Sequence, residues 1–315
     1  MKKILAIAVA TAISAPAMAD LTIYGGVAVD YINKGTAGVD NSQVQRDDVI
    51  FGMKGASETD GGLMVGGEIK TEGDFASPTL AYLNVGTETA TLCAGLFGNP
   101  ADAADAADFS DTGNATHIPG EIDNAVALTV GAAGFSAGLG AYQAAPTKAA
   151  FELDTKAGTI DPVAASDTDG TVAQIGYSAA GISANVGYHT SDDLKTVGVK
   201  VGYAGDNFSV AAYQVSSDNI TFTSGNYAGT HNEVTTTGVT GSYTMGMTTF
   251  SAVIAEDDVE GAGQVAGDNG SNDVFALKAA HKLGGGLSAY AEYGSVDGDI
   301  TNDYEAYTVG MSYMF

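Results

Sequence analysis

The stretch NPADAADAADFSDTG places carboxylates at every third position: Asp102, Asp105, Asp108 and Asp111. Side chains repeating at that interval on a helix drift by about −60° per step, so Asp102, Asp105 and Asp108 would share one broad face, with alanines behind them. Asn99 or Asp102 could cap such a helix, with Pro100 in its first turn. An acidic face of this kind attracts cations, and Glu121 and Asp123 add charge just beyond it. Other reactive side chains are sparse. Cys93 is the sole cysteine, which excludes a disulfide framework and a cysteine metal site. His117, His189, His231 and His281 are scattered, and His189 with Ser191 lacks a third catalytic partner. No H-E-x-x-H or phosphate-loop motif occurs, and no catalytic residue is assigned. Acidic segments such as 256–273 could take up Ca²⁺ or Mg²⁺ adventitiously, although solvated surface is their simpler use.

The elements that position these residues follow from the ends and the periodicity of the chain. Residues 1–19 combine Lys2 and Lys3, an apolar run over 4–15 and an Ala17-Met18-Ala19 cleavage signal, the pattern of a secretory leader. Residues 20–315 then form one domain in which ten basic residues face 38 acidic ones, a balance of −28. That charge argues against nucleic acid as a partner.

From Asp20 onward the dominant period is two. Val197, Val199, Val201 and Tyr203 alternate with Thr196, Gly198, Lys200 and Gly202, and Ile182, Ala184, Val186 and Tyr188 alternate with Ser183, Asn185, Gly187 and His189. Sixteen such strands can be marked, from 21–31, 44–54 and 63–71 through to 287–296 and 304–315. Short turns alternate with long polar connections at 32–43, 97–122, 144–169, 216–232 and 256–271. A soluble sandwich would bury its apolar faces; a transmembrane barrel turns them to lipid around a polar lumen. The long–short asymmetry and the aromatics at strand ends favour an all-β, antiparallel transmembrane barrel.

Strand parity then sorts the walls. Val49, Phe51 and Met53 face lipid, so Arg46, Asp48 and Lys54 face the lumen; Glu68 and Lys70 do so on the next strand, and Cys93 on the strand entering 97–122. A turn at 55–62 would bring Arg46 near Lys70 and Asp48 near Glu68. Paired cations would then call for anions from the 97–122 loop, or each would form a salt bridge within the wall.

ADLTIYGGVAVDY, VIFGMKGASETDGGLMVGGEIK and the closing YTVGMSYMF resemble the corresponding strands of the Gram-negative general diffusion porins, and the likeness covers the whole mature chain in layout. The resemblance implies a sixteen-stranded homotrimeric barrel in the outer membrane, among lipid and lipopolysaccharide, with a long third external loop folded into the lumen. It implies passive diffusion of ions and small hydrophilic solutes without a cofactor. Under it, Asp102, Asp105, Asp108, Asp111 and Glu121 become constriction acids. Arg46, Asp48, Lys54, Glu68, Lys70 and Cys93 become the pore wall, and Tyr313 and Phe315 the C-terminal assembly signal. The family's wall is usually richer in bases, and TATLCAGLFG carries none, which points to weak selectivity for cations. A non-conducting surface barrel (an adhesin or receptor) is one alternative. A solute-specific channel is the other, and Tyr24, Tyr82 and Tyr290, inward by parity, are the residues it would use.

Overall fold

The computed structural model describes residues 21–36, 39–73, 77–106, 118–143, 150–154, 159–163, 169–191, 194–222, 229–262, 270–298 and 304–315. Numbered along the chain, the strands are β1 (Thr22–Thr36), β2 (Val39–Glu58), β3 (Met64–Glu72), β4 (Pro78–Gly86), β5 (Ala90–Gly98), β6 (Glu121–Ala132) and β7 (Phe135–Gln143). Two short strands follow, β8 (Ala150–Asp154) and β9 (Thr159–Val163). The remainder are β10 (Asp169–Ala179), β11 (Ile182–Ser191), β12 (Leu194–Ala204), β13 (Phe208–Phe222), β14 (Gly229–Met245), β15 (Thr248–Ala262), β16 (Gly270–Gly284), β17 (Leu287–Gly298) and β18 (Tyr304–Met314).

Sixteen of these, β1–β7 and β10–β18, form a closed antiparallel barrel. Strands β7 and β10 pair directly, from Gln143 opposite Asp169 to Phe135 opposite Tyr177. The β8–β9 hairpin therefore lies in the connection between them, where the sequence suggested only a polar loop. The sheet closes where β1 meets β18, from Gly26 opposite Met314 to Thr36 opposite Tyr304. The last residue completes the seam: the Phe315 N–H donates to the Gly25 carbonyl at 2.9 Å, and the Gly25 N–H to the Phe315 carbonyl at 3.1 Å. Closure leaves the sixteen barrel strands with no edge for lipid to desolvate.

Period-two alternation decides the faces. On β12, Val197, Val199, Val201 and Tyr203 are exposed on the outside, whereas Thr196 on the opposite face is buried. The same holds on β15, where Ile254 is exposed between buried Val253 and Ala255. Such a continuous apolar exterior suits hydrocarbon and not water. Aromatic pairs cluster beside the short turns: Phe135–Tyr177 with ring centroids 4.7 Å apart, Tyr203–Phe208 at 5.6 Å and Tyr313–Phe315 at 6.2 Å. They form the interfacial belt at that rim. Two of these turns consist of two left-handed residues, Ala133-Gly134 and Ala180-Gly181, whose twist matches that of the strands they join.

Two registers differ from the sequence expectation. Strand β2 continues to Glu58, and the turn is Thr59–Leu63, held by the Thr59 N–H on the Leu63 carbonyl at 2.8 Å. Lys54 therefore lies opposite Glu68, Gly52 opposite Lys70 and Ile50 opposite Glu72. Arg46 is not beside Lys70, nor Asp48 beside Glu68. A register shift between β1 and β2 adds the second correction. Asp48 pairs with buried Ala28, but position 46 pairs with Val29, a member of the outward set. Asp47 is the extra residue, so the alternation counted back from Met53 does not carry through to Arg46.

Candidate lumenal site

The third external connection leaves β5 at Gly98 and returns at Glu121. Its described part begins with a five-residue 3₁₀ turn, Pro100–Ala104. Asn99 caps this turn, its side-chain oxygen accepting from the Ala101 N–H at 3.0 Å while its amide donates to the Pro119 carbonyl at 2.9 Å. Both ends of the loop are thus tied together at its base. Ala101 and Ala104 are completely buried against the lumenal face of β11 and β12. Gly187 and Gly198, which lie directly opposite each other, form the seat. A Cβ at 187 would fall 2.2 Å from the Ala101 carbonyl oxygen, and one at 198 would fall 2.8 Å from the Ile118 Cδ1. Alanine on the loop and glycine on the wall together allow this close approach.

Asp102 and Asp105 do not share one open helical face. The turn ends at Asp105, whose backbone is extended at φ −101° and ψ 151°. Its carboxylate accepts from the Ile118 N–H at 2.6 Å and is only 7 % exposed. A side chain that binds a distant backbone amide competes with helix propagation, and here it ends the helix after one turn. Asp105 is a tether inside the loop rather than a pore-facing acid. Asp102 is half-buried, Glu121 is exposed, and Asp108 and Asp111 lie outside the described residues. Lys200 reaches the loop from β12 and donates through Nζ to the Asp105 carbonyl oxygen. The carboxylates of Asp105 and Asp102 both act on that ammonium.

On the β1–β4 wall, Glu68 accepts hydrogen bonds from the hydroxyls of Tyr24 and Tyr82, the latter at 2.9 Å. Lys54 lies over the Tyr24 ring, 5.6 Å from its centroid, and Lys70 pairs with Glu72 at 2.5 Å. Cys93 is half-buried beside the lumenal apolar cluster that includes Phe97, Ile122 and Ala127. On β16 and β17, Lys278 pairs with Glu292 at 3.0 Å and lies 5.2 Å from the centroid of Tyr290. Asp257 accepts from the Thr236 hydroxyl at 2.6 Å. His189 stacks on Tyr142, whose hydroxyl is 2.8 Å from the His189 Nε2. The sequence reading did not single out Lys200, Lys278 or Glu292, although the parity of β12 had already placed Lys200 on the polar face. Among the described residues no group of three or more His, Cys, Asp or Glu side chains is arranged to hold a metal ion.

A closed barrel with an apolar exterior and a polar interior crossed by an infolded turn has a counterpart among known families. The model of the Gram-negative porins matches residues 6–301. The chain belongs to the Gram-negative porin family. It is an outer-membrane channel. Its fold is similar to that of Salmonella typhi OmpF, solved in complex with daunomycin, with a TM-score of 0.72 at 15% identity over 94% of this chain and 97% of that one. The anion-selective porin of Comamonas acidovorans is similar with a TM-score of 0.67 at 14% identity, over 94% and 99% of the two chains. A trimer form of the outer membrane protein OmpT of Vibrio cholerae gives 0.66 at 13% identity, over 94% and 99%. At these identities the likeness is one of fold, and the anion selectivity remains that of the Comamonas protein. Among curated proteins no sequence matches this porin.

Proposed function

We propose that this porin is a general diffusion channel with weak selectivity for cations, and that its third external loop forms the constriction. The observation that carries the selectivity is how the lumenal lysines are held. Lys70 and Lys278 are each paired with a carboxylate, Lys54 lies against a tyrosine ring, and Lys200 is bound to the loop carbonyl of Asp105. The charges of Lys70 and Lys278 are thereby cancelled where they arise. The acids exceed the bases over the whole chain, for a net charge of −26 with the leader included. A water-filled opening with that balance concentrates cations and still admits small neutral solutes.

On this reading the loop narrows the lumen from the β11–β12 side, Asp102 and Glu121 contribute its charge, and the Tyr24–Glu68–Tyr82 cluster lines the wall. The protein performs no catalytic step. The family and the trimer form of the OmpT neighbour support assembly as a homotrimer, which this reading puts among lipid and lipopolysaccharide. A planar-bilayer reversal potential under a KCl gradient tests the selectivity, with a potential of the sign for K⁺ over Cl⁻ as the expected result. A potential of the opposite sign overturns it.

A further inference from the structure

The seat of the third loop is made of small apolar contacts that hold only while the loop stays in place. Ala101 and Ala104 rest on Gly187 and Gly198 and join a buried apolar cluster that includes Ile118 and Val172. The 3₁₀ turn is too short to be stable alone, since its hydrogen bonds join the Asp102 N–H to Asn99 and the Asp105 N–H to Asp102. Two side-chain bonds within the loop, from Asn99 and from Asp105, fold it upon itself but do not attach it to the barrel. Lys200 supplies a hydrogen bond from the wall to the loop. It lies on β12 two residues beyond Gly198, opposite Asn185 on β11 and Tyr213 on β13, and its ammonium binds the carbonyl that ends the turn. The Asp105 and Asp102 carboxylates also act electrostatically on this ammonium.

We infer that Lys200 is the positioning residue that latches the third external loop to the β11–β12 wall. The cradle supplies shape, and the latch supplies a charge-assisted bond in a partly desolvated place, the stronger class of hydrogen bond. Without the ammonium, the Asp105 carbonyl and the two carboxylates lose their shared counter-charge beside the wall, and the loop lifts from the glycines. The effect of this motion on current rests on the proposed role of the loop as the constriction; the latch itself does not.

The test separates the two. In a Cys93→Ser background, Ala104→Cys places a thiol at a completely buried position under the turn, where a water-soluble methanethiosulfonate reacts only when the loop lifts. With Lys200→Met added, the modification rate should rise about tenfold or more, the scale of losing one charge-assisted bond, and Lys200→Arg should return it toward the parent rate. Lys200→Gln serves the same comparison if the Met variant does not assemble into a heat-modifiable barrel. An unchanged rate in an assembled Met or Gln variant overturns the latch.

Single-channel recordings give the second readout. Lys200→Met should add open-channel noise. A disulfide between cysteines introduced by Ala104→Cys and Gly198→Cys, positions whose Cβ atoms would lie 3.3 Å apart, should silence it until a reductant is added. A faster modification rate with an unaltered current establishes the latch and removes the loop as the constriction.

Discussion

At the scale of single residues, the acids of the third loop divide into two kinds. Asp105 is folded inward, and its carboxylate is the acceptor for the Ile118 amide, which is itself buried. Replacing it with alanine leaves that N–H without an acceptor, a loss of about 1–3 kcal/mol. The expected outcome for Asp105→Ala is faster hydrogen exchange at the Ile118 amide by the corresponding factor of roughly 5 to 150. Asp102 is half-buried within the turn itself. Asp102→Asn should leave thermal stability within about 0.5 kcal/mol while lowering the K⁺ over Cl⁻ permeability ratio in the bilayer. If the two variants exchange these phenotypes, the assignment of tether and pore acid is wrong. Sequence spacing alone could not draw this distinction: a three-residue repeat reports which side chains would coincide on a helix, and not that one of them would end the helix by binding an amide 13 residues away.

Elements show the same contrast between pattern and register. The glycine cradle yields a direct prediction, because a Cβ at 187 meets backbone, the Ala101 oxygen at 2.2 Å, and cannot be relieved by a rotamer change. Gly187→Ala should push the turn off the wall at an overpacking cost of about 1–3 kcal/mol and lower single-channel conductance as the turn moves toward the axis. Gly120→Ala, in the same loop with no atom within 4 Å of the added carbon, should change neither. Strand identity was legible in the sequence because lipid on one side and water on the other enforce a period of two. That is why Val197 to Tyr203 and the inward placement of Glu68 and Lys200 could be read directly. Register was less legible. Thr59–Leu63 replaces a turn assigned to 55–62, and this alone moves the partner of Glu68 from Asp48 to Lys54. A single extra residue at Asp47 breaks the parity before Arg46. The shifted turn leaves no periodic trace, and the bulge shows only as the odd spacing between Val44 and Val49. The β8–β9 hairpin was missed for a related reason, since five-residue strands carry too few alternations to stand out from a polar connection.

For the molecule as a whole, closure and charge are the two properties that no single element carries. Closure depends on the chain's last residue, because Phe315 exchanges both of its backbone hydrogen bonds with Gly25 across the seam and stacks beside Tyr313 in the interfacial belt. Deleting Phe315 should reduce the yield of heat-modifiable barrel on refolding into detergent, and restoring any aromatic at 315 should recover most of it. Charge acts over a longer range and through water. The net charge of −26 is spread over strands and loops, so its influence inside the opening depends on how far a field extends in the electrolyte. That distance is about 10 Å at 0.1 M ionic strength and about 3 Å at 1 M. Selectivity arising from distributed charge should therefore be clear in gradients centred near 0.1 M and shrink toward the mobility ratio of the ions near 1 M. Selectivity set by contact at the loop should persist at both, since a bare ion touching a carboxylate leaves no room for screening electrolyte between the two charges. Measuring reversal potentials at the two concentrations for the parent and for Asp102→Asn separates these sources. If the distributed charge dominates, the mutation alters the low-salt potential only slightly and the salt series collapses it. If Asp102 dominates, the mutation removes most of the selectivity at both concentrations.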